Sequence, residues 1–474
     1  MYKKIDEQTI KQFESIVEGS IVRDPEQMEP YAHDEYALRD IWHSPEIVLR
    51  PKSDRQIVEI LKLAHSENIP VTPRGSGTGL CGGCVPIHGG IVLSLENMDK
   101  IVEIDGKNRV AIVEPGVTLT QFAPEAAAMG LFFSPRPGDE SASFGGMVAA
   151  NAGGSRALRY GVTRGCTMGL DVALPPPFSG VVPMGGKTAK NSSGYSLMHL
   201  MVGSEGTLGV ITRQTMRLDP LPGITNTLIV PYGSLHDAIA TVPAILGGGI
   251  KPTALEFVQH DVITVSEKRQ GIKSHFYGGE AYLMIEIDAA TEEESDRAAE
   301  IIAGICEEHN CVDILLATKQ QEEEIWAFRG ALYEAIKEHV IEILDIVVPP
   351  AEIARHVDTV QKISEKYGVW IPSYGHAGDG NVHSHLMKVQ FKDGEMVELE
   401  EQEWREKHVR MRDEIHEDAK SRGGLVSGEH GIGLMKKKYL PMFCDPIRIQ
   451  LMRGIKKEFD SKYILNPGKI FDQA

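Results

Sequence analysis

Arg74-Gly75-Ser76-Gly77-Thr78-Gly79-Leu80-Cys81-Gly82 runs on through Gly83-Cys84-Val85-Pro86-Ile87-His88-Gly89-Gly90 into the apolar run Ile91–Ser94. Gly77 to Gly82 satisfies the dinucleotide pattern G-x-G-x-x-G. A Rossmann fold needs a helix directly after those glycines, so that its N-terminal amides meet a pyrophosphate. Here Pro86 and the Gly89-Gly90 pair lead into a strand instead, which weakens any reading as an NAD-binding metalloenzyme. What remains is a loop whose free amides can form an anion-binding nest without a helix dipole.

Working outward, the flanking chain reads as an α/β domain rich in glycine loops. Ile47–Arg50 is a short apolar strand ending at Pro51. Ser53 and Gln56 suggest a capping box for a helix with Ile57, Leu61 and Ala64 on its core face. Val71–Pro73, Ile91–Ser94 and Val110–Glu114 read as strands, and Thr118 with Gln121 caps a helix through Met129. Two further glycine sets follow. One is Pro137-Gly138-Asp139-Glu140-Ser141 leading to Gly145-Gly146 and Asn151-Ala152-Gly153-Gly154. The other is Gly203-Ser204-Glu205-Gly206-Thr207-Leu208-Gly209-Val210-Ile211. Residues 134–165 are mostly small, too poor in apolar bulk to be core, and read as a ligand wrap. Together the three sets suggest a long, anionic, planar ligand embedded in backbone.

The bulk numbers fit that picture. A chain of 474 residues is too long for one core. Its 42% hydrophobic and 24% charged residues are ordinary for a globular protein. A formal charge of −18 argues against nucleic acid, which needs clustered Lys and Arg. The acidic runs at Glu292–Glu294, Glu322–Glu324 and Glu398–Glu406 read as solvated helix faces. No apolar stretch reaches transmembrane length, the first twenty residues read as an amphipathic helix, and six cysteines make no disulfide framework. The default address is the cytoplasm.

Pro220-Leu221-Pro222-Gly223 is the clearest punctuation in the chain, placing domains at 1–220, 221–422 and a returning C-terminal segment 423–474. In the second, Ala281–Ile287 reads as a strand, Thr291 opens a helix to about Glu308, and Val312–Ala317 reads as a strand. The order recurs in strand Ile341–Val348, helix Ile353–Tyr367 and strand Val369–Tyr374, predicting an antiparallel sheet with helices on one side. A long charged helix is expected over Glu395–Arg422.

Tyr374-Gly375-His376-Ala377-Gly378-Asp379-Gly380-Asn381-Val382-His383 carries the most chemistry. His376 and His383 would face opposite ways on one straight strand. The Gly-Asp-Gly-Asn insert supplies a turn that can bring both imidazoles to one point. Ser427-Gly428-Glu429-His430-Gly431-Ile432-Gly433 sets a carboxylate beside another histidine. Two His and one carboxylate with open positions form a common divalent-metal arrangement. His383 and His385, two apart on a strand, form a rival pair.

The order R-G-S-G-T-G, G-G-M-V-A-A-N-A-G-G, L-R-Y-G and G-S-E-G-T-L-G-V-I-T resembles the FAD domain of the vanillyl-alcohol oxidase superfamily. Within it the chain resembles the D-lactate dehydrogenase, glycolate oxidase and D-2-hydroxyglutarate dehydrogenase branch. The implied fold class is α+β, a vanillyl-alcohol-oxidase-type (PCMH-type) FAD-binding domain plus an antiparallel-sheet substrate, or cap, domain.

For the cofactor, the resemblance implies that Arg74, Gly75, Ser76, Gly77, Thr78 and Gly79 hold the pyrophosphate of FAD. Pro137, Gly138, Asp139, Ser141, Gly145, Gly146, Asn151, Gly153 and Gly154 would line the isoalloxazine and ribityl region, and Tyr160 and Gly161 would also bind the cofactor. Glu205, Gly206, Gly209, Val210 and Ile211 would contact the adenine half. Thr78 stands where covalent relatives carry histidine, which implies non-covalent FAD.

For the chemistry, it selects His376, His383 and Glu429 as ligands of a zinc, iron or manganese ion and ranks His385 as structural. It makes His430 the proton acceptor, Asn381 a substrate contact and Arg329 the carboxylate anchor, a task that suits a planar guanidinium fork. The implied activity is oxidation of a small D-2-hydroxy acid, D-lactate foremost, with glycolate and D-2-hydroxyglutarate as alternatives.

Cys81-Gly-Gly-Cys84, amid the phosphate loop, reads as incidental, and no four-cysteine cluster exists for an iron–sulfur centre. Electrons would therefore leave through a separate electron-transferring flavoprotein, iron–sulfur subunit, cytochrome or quinone. Oxygen as direct acceptor is a second reading, and an FAD-binding regulatory or structural subunit, or a homo-oligomer, is left open. Two departures from the family pattern stand out: Pro175-Pro176-Pro177 in an expected hairpin predicts that the hairpin is altered, and Gly194-Tyr195-Ser196 replaces Gly-Tyr-Asp; both lie near surfaces that could meet an electron-transfer partner.

Overall fold

Ser53 ends an extended stretch and opens the helix Asp54–Glu67 by accepting the amide of Gln56, while Ile57, Ile60, Leu61 and Ala64 bury one face. Asn68, in the left-handed region at φ 57°, closes it. The expected capping box is half made, because the Gln56 side chain accepts the amide of Lys52 instead of that of Ser53. At Thr118 and Gln121 the box is complete, opening the helix Leu119–Ala127.

The computed structural model describes residues 2–36, 38–392 and 395–472. They form two units. Unit 1 comprises Met1–Gly153, Gly161–Leu221 and Glu429–Ala474; unit 2 comprises Gly154–Tyr160 and Pro222–Gly428. No helix among the described residues is long and apolar enough to cross a membrane.

Unit 1 holds two main sheets. The first runs Ile21–Val22, Ile47–Leu49, Ile91–Ser94, Val71–Arg74, with the last three strands parallel and Ile47 and Val71 both in register with Ile91. Ile47–Leu49 and Ile91–Ser94 are fully buried and are nearly unbroken apolar runs, as strands covered on both faces require. The second is antiparallel, in the order Ile101–Asp105, Val110–Val113, Val210–Arg217, Thr167–Leu174, Gly180–Gly185. Its core corrects one expectation. Residues 134–165 contain a helix, Phe144–Ala150, whose Phe144, Met147 and Val148 are buried, with Phe144 edge-on to Phe122 at 5.1 Å. Three apolar side chains on a seven-residue helix suffice for core when the turns around them are glycine. The hairpin at 174–185 is likewise intact: Leu174 pairs with Gly180, and Pro175, Pro176 and Pro177 fall in the turn, where no ladder donor is needed.

Unit 2 is built on a seven-stranded antiparallel sheet ordered Leu315–Leu316, Ile224–Tyr232, Ala281–Ala289, Ala254–Gln259, Ser373–His376, Asn381–Met387, Val340–Val347. The helices Leu235–Gly247 and Glu292–Glu308 lie on its strands Ile224–Tyr232 and Ala281–Ala289. Helix Ile353–Tyr367 packs on the first of these helices and on Glu401–Ser421.

Three expected elements differ. Val312–Ala317 shrinks to Leu315–Leu316, with Val312 exposed. The strand expected from Val369 begins at Ser373, because Pro372 has no amide for the ladder. The charged helix starts at Glu401 and not Glu395, since its buried stripe of Trp404, His408, Met411 and Ile415 begins only there; Glu395–Glu398 pairs as a strand with Val389–Lys392.

Segment 154–160, expected in the flavin domain, belongs to unit 2. Arg156 pairs with Glu286 at 3.2 Å, Tyr160 donates to Asp288 at 2.6 Å, and Arg159 donates to the Asp288 carbonyl at 3.0 Å. Residues 423–428 also stay in unit 2, through a bridge between Leu425 and Val347.

Candidate active site

In unit 2, Ser373–His376 and Asn381–Met387 are the two arms of one antiparallel hairpin, with His376 opposite Asn381 and Tyr374 opposite His383. His376 and His383 are therefore diagonal neighbours on one sheet face. Their rings lie 5.2 Å apart at 82°. Gly380 makes the turn possible. It adopts φ 90°, and a Cβ there would collide with the Val348 carbonyl.

Each imidazole has a buried carboxylate beside it that no motif announced, hydrogen-bonded in the case of His376. His376 Nδ1 meets Glu256 Oε1 at 2.5 Å. The other oxygen of Glu256 accepts from Arg329 Nη2 at 2.7 Å, and the Arg329 guanidinium lies 4.8 Å over the Tyr374 ring. Burial pushes the Glu256 carboxyl up, but the charges of His376 and Arg329 outweigh it and hold the group below its usual range. His383 Nε2 is 3.6 Å from Asp345 Oδ1, while Asp345 Oδ2 accepts from Ser427 Oγ at 2.6 Å and the Gly428 amide at 3.0 Å. The one available signal for Glu256 and Asp345 was a carboxylate interrupting an otherwise apolar strand, Ala-Leu-Glu-Phe-Val and Ile-Leu-Asp-Ile-Val. His385 is engaged elsewhere, with Nδ1 3.2 Å from the Pro372 carbonyl and its ring stacked on Tyr374 at 4.4 Å.

Arg329 Nε and Asn381 Oδ1 are buried and make no hydrogen bond among the described residues. A buried donor and a buried acceptor left in this way call for a partner, since each costs about 1–3 kcal/mol unpaired.

In unit 1 the three glycine sets meet one another. Ser76 Oγ donates to the Ser141 carbonyl at 2.7 Å, the Gly203 and Glu205 amides donate to the Val148 and Ala149 carbonyls, and Gly206 sits on the Pro73 ring. A Cβ at Gly75 would strike Ser143 Oγ, one at Gly145 would come within 2.6 Å of Pro115, and one at Gly209 within 2.5 Å of Val172. Glycine stands at these three positions because a side chain would not fit.

Of the other candidates here, Arg74 is turned onto the Pro30 and His33 carbonyls and Cys84 Sγ, and Gly77 packs on its guanidinium. Asp139 accepts the Ser141 amide, and Asn151 closes the helix Phe144–Ala150 at φ 56° and accepts the Arg164 amide. Thr78, Gly79, Pro137, Gly138, Gly146 and Gly161 lie in loops or at the first turn of that helix. Val210 and Ile211 are buried in the five-stranded sheet. Glu429 and His430 also belong to unit 1, where a Cβ at Gly153 would come 2.5 Å from Glu429 Oε2. Gly154 and Tyr160 do not join the cradle's unit, for the reasons given above.

Residues 221–470, more than half of the chain, match the family of FAD-linked oxidases through its C-terminal domain, and residues 45–176 match an FAD-binding domain. The chain belongs to the FAD-linked oxidase family. It is 37% identical over 477 residues to a D-lactate dehydrogenase of Anaerostipes hadrus, covering 99% of this chain and 98% of that one. It is 42% identical over 425 residues to a D-lactate dehydrogenase of Archaeoglobus fulgidus, covering 90% and 91%. In fold, the chain is similar to p-cresol methylhydroxylase, with a TM-score of 0.77 at 16% identity over 100% of this chain and 99% of that one. The protein is an FAD-dependent oxidoreductase of α+β class.

Proposed function

We propose that this protein oxidises a small D-2-hydroxy acid, D-lactate foremost, to the corresponding 2-oxo acid and passes the electrons to a separate carrier. The observation that carries the reading is Glu256, one buried carboxylate that orients both His376 and Arg329. A carboxylate behind a histidine fixes its tautomer and turns the other nitrogen outward, the usual support of a metal-ligating imidazole. The glycine cradle of unit 1 suits FAD, which nothing at Thr78 would attach covalently.

Divalent-metal ligands in this reading are His376, His383 and Glu429. Gly428 supports the third, since its amide is bonded to Asp345 beside His383 and Glu429 follows it along the chain, with consecutive Cα atoms about 3.8 Å apart. When bound, FAD supplies the hydride acceptor, and the divalent ion supplies Lewis acidity toward the substrate hydroxyl.

The chain's own residues do the rest. Arg329 binds the substrate carboxylate through its remaining donors, since its fork is already fixed by Glu256 and Tyr374. Asn381 Oδ1 accepts a hydrogen bond from the substrate. His430 removes the 2-hydroxyl proton. An electron-transferring flavoprotein or an iron–sulfur subunit is the acceptor we infer.

Anaerobic titration of the purified protein with D- and L-lactate, glycolate and D- and L-2-hydroxyglutarate, following the flavin absorption band, tests this. D-isomers should bleach the band, and chelation or His430→Ala should abolish bleaching. Bleaching by L-isomers only, or by none of the acids, overturns the reading.

A further inference from the structure

Gly431, Ile432 and Gly433, directly after His430, are wound around one side chain of a distant loop. Glu205 Oε1 accepts the Ile432 amide and Oε2 the Gly433 amide, each at 2.7 Å. Gly431 at φ 87° and Gly433 at φ 51° take backbone that side chains rarely adopt, and a Cβ at Gly431 would come 2.9 Å from Glu205 Oε1. Glu205 itself sits at φ 54°, a strained value for a residue with a Cβ. Its backbone is pinned as well, because Asn466 Nδ2 donates to the Glu205 carbonyl at 2.7 Å and to the Gly83 carbonyl at 2.8 Å. On its far side the same loop is anchored by the Cys81 carbonyl, which accepts the Leu434 and Met435 amides. Both the Cys-Gly-Gly-Cys stretch and the Asn466-Pro467-Gly468-Lys469 segment thus serve this loop.

We infer that Glu205 is the positioning residue of the loop carrying Glu429 and His430, and not a contact to the adenine half of the cofactor. A carboxylate with both oxygens committed to consecutive amides has turned its charge away from any diphosphate or adenine. Two charge-assisted bonds on adjacent peptide units fix the plane of the chain one residue beyond the base. The inference rests on the proposed roles of Glu429 and His430, and its test separates the two.

The full-length, FAD-loaded protein is compared with Glu205→Gln and with Asn466→Ala, the latter loosening Glu205 without removing its carboxylate. Hydrogen exchange of peptides spanning 429–435 reads the clamp directly, and anaerobic flavin reduction by D-lactate reads its consequence. In Glu205→Gln, exchange at Ile432 and Gly433 should rise at least about tenfold. The limiting reduction rate should fall about 10²-fold, the loss a displacement of about 1 Å produces. The substrate concentration at half-saturation and the FAD content should stay within about threefold, a split that a general folding defect does not give. Asn466→Ala should show the same pattern, smaller, and decides the matter if Glu205→Gln fails to fold. Unchanged exchange at 432–433, or a tenfold loss of FAD affinity with a normal limiting rate, overturns the inference. His430→Ala run alongside keeps the two readings apart: if it reduces normally, the proposed base is wrong while the exchange result on Glu205 stands.

Discussion

At the scale of single residues, buried carboxylates of unit 2 stand beside the groups that the motifs advertise. Glu256 is buried between a histidine and an arginine, so removing it strands both. Breaking a buried charge pair by deleting one partner costs about 3–5 kcal/mol. Glu256→Ala should therefore lower the urea-unfolding stability of the protein by about that amount, and Glu256→Gln, which still fills the space, by clearly less. Both should slow flavin reduction while leaving FAD content near stoichiometric, because the cradle lies in unit 1. Equal stability of the two variants and wild type would refute the tethering role. Histidine and glycine spacing made His376 and His383 legible from sequence. Glu256 was not, because a lone carboxylate in a strand carries no spacing, and only strand pairing brings it opposite His376.

At the scale of elements, helix Ile353–Tyr367 and helix Glu401–Ser421 are joined by a buried polar contact. His356 Nδ1 lies 2.7 Å from Asp418 Oδ2, and Arg422 Nη2 lies 2.7 Å from Asp418 Oδ1. Burial pushes the Asp418 carboxyl up, but hydrogen bonds from His356 and Arg422 outweigh it and bring the group down to about 2. A carboxyl depressed in the folded state adds stability that is complete above its ordinary pKa of about 3.9 and vanishes as pH falls through the folded value. Asp418→Asn should cost up to about 2 kcal/mol at pH 7. Its deficit against wild type should close between about pH 4 and 2, as denaturant melts across that range would show. A deficit constant from pH 7 to 2 would show that the pair contributes shape and not charge. The same helix shows where element boundaries were readable. Its start follows Pro350 and its end is Gly368 at φ 61°, both visible as letters, whereas the start of Glu401–Ser421 was set by where buried packing begins.

At the scale of the whole chain, each unit has its own sheets, and the candidate cofactor residues fall almost wholly in unit 1. Non-covalent FAD should leave the protein completely on acid precipitation, giving a colourless pellet and a yellow supernatant. A yellow pellet would show a covalent link that Thr78 does not supply. Added FAD at a hundred times its Kd should stabilise the folded state by about 2.7 kcal/mol, raising the melting temperature by a few degrees.

The sequence by itself determined the glycine loops, the absence of a Rossmann helix after Gly82, the turn between the two histidines and most strands and helices. Those features are local: they follow from backbone freedom at glycine, missing amides at proline, and apolar periodicity, all readable within a dozen residues. Only the tertiary structure decided that Glu256 and Asp345 stand behind the histidines, that 154–160 belongs to unit 2, and that Glu205 holds the loop after His430. Those are pairings across 38 to 228 positions. No local pattern encodes them, because side chains so distant in sequence meet only after sheet register and chain crossing are settled.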